Sequence, residues 1–190
     1  MFLESQINHP MQKGSIEVIC GSMFSGKTEE LLRRLKRARY SKLKIKIFKP
    51  KVDTRYDEKK IVSHDDNFIN SIVVACSNNI INLSEDADVV AIDEAQFFDE
   101  DLYSVCNTLA INGIRVIVAG LDMDFLGNPF GPIPNLLSVA EHITKVHAIC
   151  VDCGAIANYS FRKSRDEELV KLGEHNDYKP LCRGCFNNQI

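Results

Sequence analysis

The sequence predicts an α/β fold, a mostly parallel sheet flanked by helices, with a small cysteine-bearing unit at its C-terminal end. Three observations carry this. Short, β-branched apolar runs alternate with stretches of helical periodicity up to residue 146, the pattern of parallel strands joined by crossover helices. A Gly-rich segment, Gly21 to Thr28, stands between one such run and one such helix. Beyond residue 147 the chain turns to two Cys-x-x-Cys pairs. We therefore read residues 1–13 as a loosely ordered tail, 14–146 as one α/β domain and 147–190 as a second, smaller unit.

Ser15 to Cys20, the first element, reads as a buried strand. Gly21, Ser22, Met23, Phe24, Ser25, Gly26, Lys27 and Thr28 then fit G-x-x-x-x-G-K-[ST] without a mismatch. Glycine tolerates backbone angles that side chains resist, so the loop can curl its N–H groups toward an anion. Lys27 supplies positive charge for the outer phosphates of a nucleotide, and the Thr28 hydroxyl can ligate Mg²⁺. Leu31, Leu32, Leu35 and Ala38 recur at helical spacing, so a helix begins near Thr28 and its N-terminus faces the anion. Strand, loop and helix together predict a P-loop domain of RecA-like type. Arg33, Arg34, Lys36, Arg37 and Arg39 make this helix basic, and we read them as a solvated face.

Lys44 to Phe48 is a second strand. Lys49 to Asn67 is a long polar connection containing Asp53, Thr54 and Arg55. Arg55 could reach a phosphate from it or lie on the surface. Ser71 to Ala75 is a short strand. Asp88 to Glu94 is an apolar run ending in two carboxylates, like the strand whose terminal Asp holds Mg²⁺ in P-loop enzymes. Asp93 suits that role. Glu94 suits proton transfer, or a helix N-terminal carboxylate. Phe97 to Asn112 reads as a helix, Arg115 to Gly120 as a buried strand, and Leu121 to Pro134 as irregular chain. Its Phe125 and Phe130 could wall a base or anchor the loop on the core. Leu136 to Glu141 reads as a short helix and Thr144 to Ile149 as the last strand. In such sheets ligands bind at the strand C-termini, where the segments after Cys20, Ile92 and Gly120 would meet.

Cys150, Cys153, Cys182 and Cys185 form two knuckles separated by the 28 residues from Gly154 to Leu181. The pairs fit a tetrahedral zinc site filled by four thiolates, hence structural; a redox role is the alternative. Cys20, Cys76 and Cys106 lie in apolar surroundings and read as core. The first 13 residues lack the pattern of an export signal, and no apolar run reaches membrane-spanning length, which predicts a reduced, cytoplasmic setting. A formal net charge of −3 argues against a general nucleic-acid binder.

Taken together, Gly21 to Thr28, Asp53-Thr54-Arg55, Asp93-Glu94-Ala95-Gln96-Phe97-Phe98, Leu121-Asp122-x-x-Phe125 and the paired cysteines resemble the type II thymidine kinases from about Gly14 to Phe186. The resemblance implies transfer of the γ-phosphoryl group of ATP to the 5′-hydroxyl of thymidine or deoxyuridine. It assigns the triphosphate to Gly21–Thr28, Mg²⁺ to Thr28 and Asp93, and the general base to Glu94. Gln96, Asp53, Thr54 and Arg55 fall in nucleotide-contacting segments and Phe125 in the base pocket. Leu169, Val170, Lys171, Leu172, Gly173 and Tyr178 match a substrate lasso anchored by the zinc site. A homotetramer with feedback inhibition by thymidine triphosphate is implied as well. Two departures stand out: Ala95 where some members have Gly, and Glu174 after Gly173 where some have paired glycines. Asp93-Glu94-Ala95-Gln96 also resembles a helicase element, although 190 residues leave no room for a second motor domain. A zinc-ribbon module that only senses nucleotide is a third reading.

Overall fold

The computed structural model describes residues 14–52, 60–62, 68–163 and 177–189. Its centre is a six-stranded, wholly parallel sheet. The strands are β1 (Ser15–Cys20), β2 (Ile45–Pro50), β5 (Ile72–Val74), β6 (Val89–Ile92), β7 (Arg115–Gly120) and β8 (His142–Lys145), in the spatial order β5-β2-β6-β7-β1-β8. A hairpin, β3 (Lys60–Val62) with β4 (Phe68–Asn70), interrupts the connection after β2.

Parallel strands are covered on both faces, and their side chains alternate between those faces. In β7, Val116 and Val118 join one core with Val18, Val90 and Ile92. Helices α2 (Asn79–Leu83), α3 (Leu102–Ile111) and α4 (Ile133–Val139) cover it through Ile80, Leu102, Val105, Leu109, Ile133 and Leu136. Ile117 and Ala119 face the other way, onto Leu31, Leu32, Leu35 and Ala38 of α1 (Lys27–Tyr40).

Glu17 of β1 points to the α1 side and is 4% exposed. A buried carboxylate needs partners. Arg34 Nη1 and Arg115 Nε each donate to it at 2.6 Å. Arg34 in turn donates to Glu30 at 2.8 Å and to Thr144 Oγ1 at 2.8 Å. Arg34 therefore departs from the solvated face read for this helix: it lies beneath α1 and ties it to β1 and β8.

Several boundaries move for local reasons. Phe97 does not open a long helix. Ala95–Phe97 is a single 3₁₀ turn and Phe98 is extended and buried. Asp99 then accepts from the Ser77 amide at 2.9 Å and from its hydroxyl, which holds the chain out of helix until Leu102. The helix expected from Leu136 starts at Ile133, since proline is tolerated in a first turn and Pro134 sits there. The strand expected over Thr144 to Ile149 is two elements. Val146 N donates to Cys20 O, and the chain then leaves the sheet.

Past Val146 the chain builds a lobe of short pairs: β9 (Ala148–Ile149) with β10 (Ile156–Ala157), and β11 (Tyr159–Arg162) with β12 (Tyr178–Leu181). It ends in helix α5 (Arg183–Asn187). Ala148, Cys150, Ala157, Tyr159, Leu181 and Phe186 form its own apolar cluster, against which Phe24 and Met123 of the larger body pack.

Candidate active site

Three loops leave adjacent parallel strands at their C-terminal ends: Gly21–Gly26 from β1, Asp93–Glu94 from β6 and Leu121 onward from β7. β7 lies between the other two, so all three segments share one edge of the sheet.

The first loop is held by its own atoms. Gly21 has φ 146°, and a Cβ there would lie 2.1 Å from Val146 O, so no other residue fits. Gly26, at φ 86°, introduces α1. The Ser22 carbonyl accepts from Ser25 Oγ at 2.7 Å and from Lys27 Nζ at 2.8 Å, which draws the lysine back over the loop. Phe24 sits at φ 64°, a conformation that costs a side-chain-bearing residue free energy and gathers at functional sites. The Met23 amide donates to Ser160 Oγ of β11 at 2.9 Å, so the cysteine lobe touches the loop at its apex.

Asp93 directly follows β6 and is 5% exposed; its Oδ1 accepts from the Glu94 amide at 3.0 Å. Glu94, like Phe24, has a left-handed backbone, at φ 52°. Its Oε2 accepts from Gln96 Nε2 at 2.6 Å, while Gln96 Oε1 accepts from the Leu121 amide at 2.9 Å. One amide side chain thus ties the carboxylate after β6 to the loop after β7.

That loop is a compact turn: Asp124 Oδ1 accepts from Leu126 N and Asn128 N, both at 2.9 Å. Phe130 is buried and meets Phe97 edge-on, 5.7 Å between centroids, which makes it a core anchor. Phe125 is half-buried, with the Arg162 guanidinium 3.7 Å from its ring centroid. Asp122 pairs with Lys145 at 2.6 Å. Desolvation works to lower the Lys145 pKa, but the Asp122 partner outweighs it and the pKa rises. Nearby, burial and then the Asp122 charge push the Cys20 thiol up to about 11, so it stays protonated and inert.

The sulfurs of Cys150, Cys153, Cys182 and Cys185 all lie within 4.8 Å of one another, and Cys153 and Cys182 are 3.6 Å apart. Ligands 2.3 Å from a tetrahedral zinc stand about 3.8 Å apart, so the cluster fits that ion. Desolvation acts against ionisation of Cys150, yet backbone hydrogen bonds from Cys182, Asp152 and Cys153 prevail and bring it down to about 6. Cys182 caps α5, its sulfur accepting from Cys185 N at 3.4 Å.

The family model described as thymidine kinase matches residues 14–186. This chain belongs to the thymidine kinase family. It is 55% identical over 186 residues to the thymidine kinase of Bacteroides thetaiotaomicron, covering 98% of this chain and 94% of that one. To the Porphyromonas gingivalis thymidine kinase it is 57% identical over 188 residues, covering 98% and 92%. Among solved structures, a genome-packaging NTPase from Sulfolobus turreted icosahedral virus 2, in complex with ATP-γS, aligns over 75% of this chain and 79% of its own. Its TM-score is 0.48 and its identity 14%.

The protein is therefore a thymidine kinase by family and acts on a small-molecule nucleoside, and the helicase reading is not favoured. Of the thymidine kinase residues named from sequence, Gly21–Gly26, Asp93, Glu94 and Phe125 belong to the three loops, Lys27 and Thr28 open α1 directly after the first, and Gln96 lies in the 3₁₀ turn directly after the second. Tyr178 stands apart on β12, joined to Phe125 through Arg162. Asp53, Thr54 and Arg55, and Leu169 to Gly173, lie outside the described residues. Sequence reasoning missed Ser160 and Arg162. A period of two was their only signal: in β11 they face the loops, while Tyr159 stacks on Phe186 at 4.4 Å in the lobe core. No helix among the described residues is long and apolar enough to cross a membrane.

Proposed function

We propose that this thymidine kinase transfers the γ-phosphoryl group of ATP to the 5′-hydroxyl of thymidine or deoxyuridine, with Glu94 as general base. The observation that carries this is the Glu94 carboxylate, tied by Gln96 to the neighbouring loop at the sheet edge that also bears the phosphate loop. Glu94 accepts the hydroxyl proton as the oxygen attacks the γ-phosphorus; the bond from phosphorus to the bridging oxygen breaks and ADP leaves. The amides of Gly21 to Thr28 bind the triphosphate and Lys27 offsets its charge. Asp93 and Thr28 offer hard oxygen donors at this edge, a set that suits Mg²⁺; they would hold the ion, which neutralises phosphate charge when bound.

In the same reading Asp53, Thr54, Arg55 and Gln96 serve the nucleotide. Phe125, Leu169 to Gly173 and Tyr178 receive the pyrimidine. The four cysteines hold a structural zinc ion, and the chain divides near residue 147 into a nucleotide-binding domain and a zinc-binding lobe. The separate apolar cluster of the lobe supports that division. A cytoplasmic homotetramer inhibited by thymidine triphosphate completes the proposal, supported by family membership.

The test is a nucleoside panel with ATP and Mg²⁺, scored for 5′-monophosphate. Thymidine and deoxyuridine should be phosphorylated and purine nucleosides should not. Glu94→Gln should lower kcat by about 10²- to 10⁴-fold while ATP still binds. Phosphorylation of purines at similar rates, or near-normal kcat in the variant, would overturn the assignment.

A further inference from the structure

We propose that Arg162 is a positioning residue of the nucleoside site, locking Phe125 and Tyr178 into one rigid wall. The inference rests on the reading of Phe125 as a base-pocket residue and goes beyond it.

Arg162 is 4% exposed, unusual for an arginine and unfavourable unless its donors and its flat faces are occupied. Nε and Nη2 donate to the Tyr178 hydroxyl at 3.0 and 2.9 Å. The face of the same guanidinium covers the Phe125 ring at 3.7 Å, close enough for a desolvated cation–π contact. Only a planar cation can donate from its edge and stack with its face at once, so lysine is not equivalent here.

The backbone explains how the three meet. Arg162 and Tyr178 are directly opposite partners in the β11–β12 ladder, and the Lys163 amide donates to Asp177 O at 2.8 Å just beyond them. Phe125 arrives from the loop after β7, whose turn Asp124 fixes. Arg162 thus joins the end of the lobe ladder to the loop at the sheet edge. An aromatic ring held on one face cannot rotate freely, so a pyrimidine stacking against it loses less conformational freedom on binding.

The test compares Arg162→Met, Arg162→Lys, Tyr178→Phe and Phe125→Leu in the full chain, with KM measured separately for thymidine and ATP. Both Arg162 variants should raise the thymidine KM about ten-fold or more and leave the ATP KM within about two-fold, because methionine loses the cation and lysine cannot cover Phe125 and donate twice to Tyr178 at once. Tyr178→Phe, which keeps its ring, should show a smaller rise of the same kind. In Arg162→Lys/Phe125→Leu the two effects should fall well short of multiplying, because the residues act as a unit. If Arg162→Met does not fold, Arg162→Lys and Tyr178→Phe carry the comparison. Equal rises in both KM values, or a wild-type thymidine KM in Arg162→Lys, would overturn the proposal. An unchanged thymidine KM in Phe125→Leu would instead refute the base-pocket reading on which it rests.

Discussion

Gln96 Nε2 lies 2.6 Å from Glu94 Oε2, and the other end of the same amide accepts from the Leu121 N–H. Gln96 is 2% exposed. Both of its polar ends are engaged with protein, which fixes the orientation of the amide as well as that of the carboxylate. Glu94 is held in a left-handed backbone conformation that costs free energy, and it persists because its surroundings determine it.

Gln96→Leu removes the donor to Glu94 and leaves the Leu121 amide without its acceptor. Steady-state kinetics should show kcat reduced about ten-fold, since a loosened base loses alignment, with the ATP KM little changed. Denaturant unfolding should show a loss of about 1–3 kcal/mol from the orphaned amide. A kcat equal to wild type would mean that Glu94 is positioned without Gln96.

Glu17 is the acceptor for two guanidiniums beneath α1. Truncating one partner of a buried ion pair strands the other, at about 3–5 kcal/mol. Arg34 retains Glu30 and Thr144, so Glu17→Ala should fall near the lower end, measurable as a reduced urea midpoint. An unaltered midpoint would show that the network contributes nothing net.

Glu30 has its pKa lowered to about 2, first by the hydrogen bonds from Arg33 and then, against the cost of burial, by Arg34. A depressed carboxylate stabilises the fold above its unfolded value and loses that contribution as pH falls through the folded one. Its share of the stability should therefore disappear between about pH 4.5 and 2. Glu30→Gln should flatten the melting-temperature profile in that window relative to wild type. Parallel profiles would remove Glu30 from the acid response.

The four-sulfur cluster predicts one zinc per chain by metal analysis. Cys182→Ser removes a ligand while the serine oxygen can still cap α5, so it should lose zinc and, for want of the metal, melt at a lower temperature than wild type. A strong chelator should lower the wild-type melting temperature toward that of the variant. Wild-type protein free of zinc, or a variant that keeps it, would contradict the assignment.

The sequence by itself determined whatever depends on neighbours along the chain. Strand, glycine-rich turn and helix at Ser15 to Tyr40 are local, because backbone angles and apolar period act over a few residues. The cysteine spacing likewise announced the cluster at residues 150–185. The carboxylates at 93 and 94 were legible as the end of an apolar run. Only the tertiary structure decided that Arg34 is buried, because its partner Glu17 lies on another element. The same holds for Ser160 under Met23 and Arg162 over Phe125, contacts across more than 30 residues of chain. A polar residue in a strand looks the same in sequence whether water or a distant side chain completes its hydrogen bonds. Burial resolves that ambiguity, and burial is a property of packing, not of local order.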